Sequence, residues 1–108
     1  MNIKELLSRY TAGQRDFRNL SLIAANLRSM NLSGADLSGA DLRGANLTRT
    51  NLSHANLTEA ILTGANLTEA NLTEANLSDV DLSSVNLSHA YLHRAIMPDG
   101  VSSNLISK

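Results

Sequence analysis

Two histidines near the end of the chain have a spacing that metal ligands often show. His89 and His93 stand four residues apart, and on an α-helix this spacing would bring two imidazoles to one face, where they could share a Zn²⁺ ion. The sequence around them instead repeats every five residues, and that period assigns them to different turns of the chain. We therefore expect two exposed histidines, with no metal site and no bound cofactor.

Three glutamates are the next candidates for chemistry. Glu59, Glu69 and Glu74 follow one another closely, but acid–base catalysis needs two groups that converge on a sheltered pocket. The repeat places each of them at a separate outward corner, where a solvated side chain is expected. The many Ser and Thr residues suit turns, and the glycines fall on the repeat rather than in a phosphate-binding loop. The sequence predicts that the protein is not an enzyme.

A five-residue repeat positions all of these side chains. Leucine recurs at every fifth position from Leu22 to Leu92, with Phe17 before and Met97 after in the same register. Ala usually stands two residues before this position, Asn or Asp one before, and Ser or Thr one after. In an α-helix each successive Leu would turn by roughly 140° about the axis, so no apolar stripe would form.

Short strands explain the period better than a helix does. Side chains of a strand alternate between its two faces, so the Ala and Leu of each pentad point inward while the Asn or Asp between them points outward. The last two residues of the pentad then carry the chain around a corner. Successive pentads wind into a solenoid with an interior of Leu and Ala.

The pentads resemble those of a known repeat family. Residues 35–39 read Ala-Asp-Leu-Ser-Gly, residues 40–44 read Ala-Asp-Leu-Arg-Gly, and residues 65–69 read Ala-Asn-Leu-Thr-Glu. The chain thus resembles the pentapeptide-repeat family. Its start, which runs into Gln-Arg-Asp-Phe at residues 14–17, and its closing Ala-Ile-Met-Pro-Asp-Gly at residues 95–100 resemble those of the small cyanobacterial members. The resemblance implies an all-β solenoid, a right-handed quadrilateral β-helix of about four coils with twenty residues in each.

Asparagines recur at the spacing of one such coil. They form an outward column at which we expect each side-chain amide to bond its neighbours above and below; the longest column holds Asn26, Asn46, Asn66 and Asn86.

Residues 1–13 follow a different pattern and predict an N-terminal helical cap. Asn2 and Glu5 read as a capping box, and the apolar residues form one helical stripe of Ile3, Leu6, Leu7 and Tyr10. A free helix this short is marginal in water, so we expect it to cover the open end of the β-helix at residues 14–97. Docking of the same helix on a membrane is disfavoured because it carries few basic residues.

The opposite end predicts a turn and a flexible tail at residues 98–108. An uncovered coil exposes strand edges that another copy of the chain could pair with. Two alternatives stay open: Val101, Leu105 and Ile106 fold back over the last coil, or two chains meet end to end as a homodimer through it.

Charge is unevenly distributed along the chain. Residues 1–50 hold seven basic and four acidic side chains, whereas residues 51–108 hold two basic and six acidic ones. Charged side chains steer association with a partner. The candidate partner-binding surface comprises Arg28, Arg43, Arg49, Glu59, Glu69 and Glu74.

These features favour a non-enzymatic structural or protein-interaction module that presents rigid β-helix faces to a protein partner. A role in cell differentiation, which the resemblance to cyanobacterial members implies, would be a special case. We expect no small-molecule substrate, no direct binding of nucleic acid and no membrane association. The absence of cysteine and of a signal or membrane-spanning run places the protein in the cytoplasm.

The resemblance also implies an alternative, a DNA mimic that binds or inhibits a gyrase-type topoisomerase. Two observations count against it. Four coils at about 4.8 Å each make a rod of about 20 Å, shorter than one turn of duplex at about 34 Å. The formal net charge is −1, whereas a mimic needs a dense row of carboxylates in place of phosphates.

Overall fold

The computed structural model describes residues 1–99 as one helix followed by a regular coil. Helix α1 spans Ile3–Thr11 and lies within the predicted residues 1–13. The Asn2 side chain accepts a hydrogen bond from the Glu5 N–H at 2.8 Å, which satisfies one of the free donors at the helix start. Leu6 is buried, but Leu7 is 45% exposed. The predicted stripe is therefore wrong at Leu7, which is one residue past Leu6 and so points about 100° away from it.

A hydrogen bond from Tyr10 connects helix α1 to the first coil. The hydroxyl of Tyr10 donates to the carbonyl of Ser33 at 2.6 Å. The guanidinium of Arg15 lies 3.7 Å from the centre of the Tyr10 ring and donates to the Tyr10 carbonyl at 2.9 Å. Leu6 belongs to the same hydrophobic core as the leucines of the coil, so the helix packs against that core.

The rest of the described chain winds into coils of twenty residues. All twelve β-bridges recorded for residues 1–99 are parallel and join residues twenty apart, from Asp16↔Asp36 to Asn76↔Ile96. Each bridge joins a single pair of residues, so residues 1–99 contain no longer strand. Asn51 shows the pattern: its carbonyl accepts from the Leu32 N–H at 2.8 Å, and its N–H donates to the Met30 carbonyl at 2.9 Å.

Each coil has four sides, which we number by their central inward residues. The first coil gives Phe17 to side 1, Leu22 to side 2, Leu27 to side 3 and Leu32 to side 4, and every later coil adds twenty to these numbers. We call residues 15–34 coil 1, 35–54 coil 2, 55–74 coil 3 and 75–94 coil 4. The edge that follows a side carries the same number as that side.

The interior is filled by stacked leucines, as the repeat predicts. Leu37, Leu57 and Leu77 on side 1 are each 0% exposed. Alanines occupy most of the inward corner positions, and Thr50 is a fully buried exception at one of them. Its hydroxyl donates to the Leu27 carbonyl at 2.7 Å, so the buried oxygen is satisfied.

The edges are turns whose third residue adopts a positive φ. At the edge of Leu32, the Ala35 N–H donates to the Leu32 carbonyl at 3.1 Å, and Gly34 has a φ of 73°. A positive φ at this position alone, with this hydrogen bond, is characteristic of a type II turn. Non-glycine residues adopt it too, among them Glu59 at 61°.

The predicted ladders of asparagine amides are absent from residues 1–99. The Asn46 side-chain oxygen accepts from the Thr48 N–H at 3.0 Å, and that of Asn56 accepts from both the N–H and the hydroxyl of Thr58. The amide therefore bonds within its own side, because the N–H two residues ahead is the nearest donor available to it.

Side 2 of coil 4 departs from this regularity. One coil earlier, the Leu42 N–H donates to the Ile61 carbonyl at 2.8 Å and the Gly44 N–H to the Thr63 carbonyl at 2.9 Å. In coil 4 no bridge joins Ile61 to Asp81, and the Gly64 N–H instead donates to the Ser84 hydroxyl at 3.2 Å. We call residues 81–84 the interrupted side.

The molecule measures 36 × 22 × 21 Å. Within residues 1–99, no helix is both long enough and apolar enough to cross a bilayer. The predicted folding back of Val101, Leu105 and Ile106 lies outside the described residues.

Candidate functional site

The outward residues form flat polar sides that meet at four edges. Each edge stacks the fifth residue of its pentads at intervals of twenty, so charges distant in sequence become neighbours. The six candidate residues fall on different parts of this prism. Side 3 and its edge hold Arg28, Arg49 and Glu69, whereas Arg43 is on side 2, Glu59 on edge 1 and Glu74 on edge 4.

Edge 3 carries a salt bridge between coils 2 and 3. The Nε of Arg49 lies 2.7 Å from Oε1 of Glu69. This hydrogen bond, followed by the charge of Arg49, lowers the pKa of Glu69, and the nearby charges of His89 and Arg28 lower it further. The structure thus brings three candidate residues of one side together, with His89 of coil 4 above them.

Edge 4 repeats the arrangement with a histidine in place of the arginine. His54 Nδ1 lies 3.5 Å from Glu74 Oε1, and Arg94 occupies the same edge in coil 4. The pair is a salt bridge only when the imidazole is protonated. Both edges that flank side 4 therefore place a glutamate between two potential cations.

Arg43 is bound within its own side. Its Nε and Nη2 donate to the two carboxylate oxygens of Asp41 at 2.9 and 2.6 Å, and these hydrogen bonds lower the pKa of Asp41. A two-point contact of this kind fixes the guanidinium flat against side 2.

Edge 1 is acidic. Glu59, Asp79 and Asp99 stack on it, and none of them forms an ion pair within residues 1–99. A fourth carboxylate, Asp81 of side 2, follows Asp79 by two residues, and hydrogen bonds from Ser83 lower its pKa.

Charge is consequently separated across the prism as well as along it. Sides 1 and 2 with their edges hold three arginines, Arg15, Arg18 and Arg43, and the seven carboxylates Asp16, Asp36, Asp41, Glu59, Asp79, Asp81 and Asp99, a formal charge of −4. The other two sides with their edges hold the two glutamates Glu69 and Glu74 and the three arginines Arg28, Arg49 and Arg94, a formal charge of +1, together with all three histidines. We call these the acidic half and the histidine half.

The sequence identified the charged candidate residues but not the ion pair between Arg49 and Glu69. The signal was available, because Arg49 and Glu69 are separated by one coil of twenty residues. Within residues 1–99, no three His, Asp or Glu side chains are grouped closely enough to hold a metal ion, and His89 and His93 lie on edge 3 and side 4, respectively.

Two solved structures from cyanobacteria are similar to this chain. The protein alr5209 from Nostoc PCC 7120 is 31% identical, with a TM-score of 0.65 over 97% of this chain and 92% of its own. HetL from Nostoc sp. strain PCC 7120 is 42% identical, with a TM-score of 0.51 over 88% of this chain. The chain spans only 42% of the length of HetL.

A search among curated proteins finds no match. The sequence model described as pentapeptide repeats matches residues 21–59 and 60–97, with eight copies. Members of that family fold as right-handed quadrilateral β-helices, and the four-sided coil of twenty residues agrees with that architecture. The chain therefore belongs to the pentapeptide-repeat family.

Proposed function

We propose that the protein is a non-enzymatic module that binds a protein partner through the outward sides of a rigid, right-handed β-helix of four coils capped by helix α1. One observation carries the proposal: the interior is filled with fully buried leucines such as Leu57, so the charged side chains are displayed on the outside. A surface held by a ladder of backbone hydrogen bonds costs little ordering on binding.

The similarity to HetL supports a regulatory form of this role. HetL is described as a pentapeptide-repeat protein involved in regulation of heterocyst differentiation. Because this chain spans less than half of it, we carry over the class of role, binding to a regulatory protein, and not the pathway. We place the module in the cytoplasm, since a chain without cysteine suits a reducing compartment.

Capture of a partner from native cell extract tests the proposal. The immobilised full chain is compared with four variants, each reversing one charge on a different part of the prism: Arg43→Glu, Glu59→Lys, Glu69→Lys and Glu74→Lys. We expect a protein captured by the wild type to be lost with the variants of one edge or side and retained with the others. Uniform capture by all variants would contradict binding through a defined side.

The acidic half favours a second candidate, the DNA mimic. Its formal charge of −4 comes from seven carboxylates and three arginines, and the long dimension of the molecule, 36 Å, is about one turn of duplex at about 34 Å. The estimate of about 20 Å counted the coils alone, so the length of the whole molecule does not count against mimicry. An end-to-end homodimer, which remains a prediction, would lengthen it again.

Inhibition of gyrase supercoiling separates the two candidates. A mimic should inhibit at micromolar concentration, and Glu59→Gln combined with Asp79→Asn should weaken the inhibition because both carboxylates stand on edge 1. Arg49→Gln on the histidine half is the matched control. No inhibition by the wild type would remove this candidate and leave the interaction module in place.

A further inference from the structure

Side 4 of coil 4 displays a cluster of aromatic and basic side chains. Tyr91 and His93 stand on the side itself, and His89 and Arg94 occupy the edges before and after it. All four are exposed, and Tyr91 is 61% exposed. None of the four side chains forms a hydrogen bond or an ion pair with another described residue. We call these four residues the side-4 platform.

The backbone beneath the side-4 platform is held by the ladder to coil 3. The Tyr91 N–H donates to the Ala70 carbonyl at 2.9 Å, and the Tyr91 carbonyl accepts from the Leu72 N–H at 2.8 Å. The His93 carbonyl accepts from the Glu74 N–H at 2.9 Å. Two residues of extended chain separate Tyr91 from His93 by about 6.6 Å, so the ring and the imidazole project from fixed points on the same face.

The charges that face the platform come from the coils below it. Glu69 lies below His89 on edge 3 and is already bonded to Arg49. Glu74 lies below Arg94 on edge 4, beside His54. With neutral histidines, the two arginines balance the two glutamates. Protonation of all three histidines would raise the formal charge of this whole region from zero to +3.

We propose that the side-4 platform binds an acidic segment of the protein partner and that acidification strengthens this binding. The inference rests on the proposed interaction function and names the surface and the partner chemistry. Tyrosine and arginine are enriched among the residues that dominate interface energies, and a basic platform complements carboxylates. A nucleic acid fits less well, because a long polyanion would also meet the repulsion of the acidic half.

Fluorescence anisotropy with a labelled oligoglutamate peptide tests the proposal on the full chain. We expect affinity about three- to tenfold higher at about pH 6 than at about pH 8, because two platform histidines gain charge and each exposed pair adds a modest attraction. Tyr91→Ala and Arg94→Gln should each weaken binding about fivefold or more. The double variant His89→Gln, His93→Gln should lose most of the pH dependence.

Arg43→Gln is the matched control, because it removes the same charge from the opposite side 2. Thermal melting shows whether each variant is folded, and the exposed positions should leave the melting temperature unchanged. Absence of peptide binding at both pH values, or an equal loss with Arg43→Gln, would overturn the proposal. Equally tight binding of a single-stranded oligonucleotide through the same four residues would also overturn it and assign the platform to nucleic acid.

Capture from native extract distinguishes failure of the platform proposal from failure of the proposed interaction function. If Tyr91→Ala and Arg94→Gln capture the same protein as the wild type, the interaction module stands and the platform is rejected. If the wild type captures no protein, the interaction function fails, while the peptide titration still decides whether the platform binds carboxylates.

Discussion

Side 2 of coil 3 and side 2 of coil 4 share the pentad pattern but differ in their backbones. Coil 3 is joined to coil 2 by a bridge between Asp41 and Ile61, and Leu62 at its centre is 1% exposed. In coil 4 the bridge at Asp81 is missing and Leu82 is only partly buried. The central leucine therefore sets the side that faces inward, but it does not by itself secure the hydrogen bonds between coils.

The inward corner residues explain the difference. The interrupted side runs between Val80 and Val85, whereas the equivalent side of coil 3 runs between Ala60 and Ala65. Valine is larger than alanine and its side chain is stiff at the first torsion. We infer that valines at two successive inward corners widen the coil at this side and hold its backbone away from the N–H of Leu62.

The turn of the interrupted side is altered as well. Ser84 occupies the third position of the turn but does not share the positive φ of its counterparts Gly44 and Gly64. Type I and type II turns differ by a flip of their central peptide, and a flip between Ser83 and Ser84 directs the Ser83 carbonyl away from coil 3. The Ser84 hydroxyl then accepts from Gly64 in its place.

The largest expected effect comes from breaking the register in the regular region. One residue inserted after Gly64 displaces every later pentad by one position and turns its leucines outward, so we expect loss of cooperative thermal unfolding measured by circular dichroism. Inserting a whole coil of twenty residues at the same point should preserve the fold. The same single insertion after Ser83 should be tolerated better, because coils 1 to 3 keep their register.

The second-largest effect on stability is expected from truncating the central leucines of the regular and the interrupted sides. Leu57→Ala should lower the free energy of unfolding by about 2 to 5 kcal/mol, since it leaves a cavity among fully buried neighbours. Leu82→Ala should cost less than half of that, because Leu82 is partly buried and its side can collapse. Glu59→Ala, an exposed control in the same pentad as Leu57, should stay within about 0.5 kcal/mol. Equal losses at Leu57 and Leu82 in urea denaturation would contradict the difference between the two regions.

Amide hydrogen exchange tests the interrupted ladder directly. The Leu42 N–H is bonded to Ile61 at 2.8 Å, whereas the Leu62 N–H has no hydrogen bond within residues 1–99. We expect Leu62 to exchange about tenfold faster or more. The double variant Val80→Ala, Val85→Ala should slow this exchange if the valines open the side, and an unchanged rate would reject that cause. Ser84→Gly is a second variant that tests the turn alone.

The regular part of this architecture could be predicted because each inward position uses the same residue type. Leu and Ala gave the period and the side of the chain that faces inward, and the resemblance to the pentapeptide-repeat family implied the coil of twenty residues. The asparagine ladders were predicted wrongly because an amide has several possible partners, and the pattern does not show that the nearby N–H of Thr48 is preferred over the next coil. The interruption at Asp81, which we attribute to the packing of Val80 and Val85, could not be predicted because a repeat pattern treats valine as an acceptable substitute for alanine.

The candidate site was predictable only as a set of residues. Arg49 and Glu69 were chosen for their charge, but their contact follows from the register between coils, which also assigns Arg43 and Glu59 to other sides. The platform residues Tyr91 and His93 deviate from the pentad, which usually has Asn or Asp before Leu and Ser or Thr after it. The proposed platform thus rests on deviations at outward positions, whereas the six candidate residues were chosen for charge alone.

The smallest expected effect concerns two carboxylates, Glu69 in the regular region and Asp81 on the interrupted side. Their contributions to stability should depend on pH and respond differently to salt. The folded-state pKa values of Glu69 and Asp81 are both lowered, the first by Arg49 of the neighbouring coil and the second by Ser83 of its own side. A lowered pKa contributes stability above the unfolded value, about 4.3 for Glu and 3.9 for Asp, and this contribution is lost as pH falls through the folded-state pKa. The melting temperature should therefore fall on acidification, and less steeply in Glu69→Gln and in Asp81→Asn.

Salt then separates the two variants. At neutral pH, about 1 M salt screens the exposed ion pair of Arg49 and Glu69, so the difference in melting temperature between Glu69→Gln and the wild type should shrink. The difference for Asp81→Asn should persist, because Ser83 is uncharged and its hydrogen bonds to Asp81 are local. An equal response of both variants to salt would show that the carboxylate on the interrupted side also acts through long-range charge, and the contrast between the regular and interrupted regions would then not extend to their surfaces.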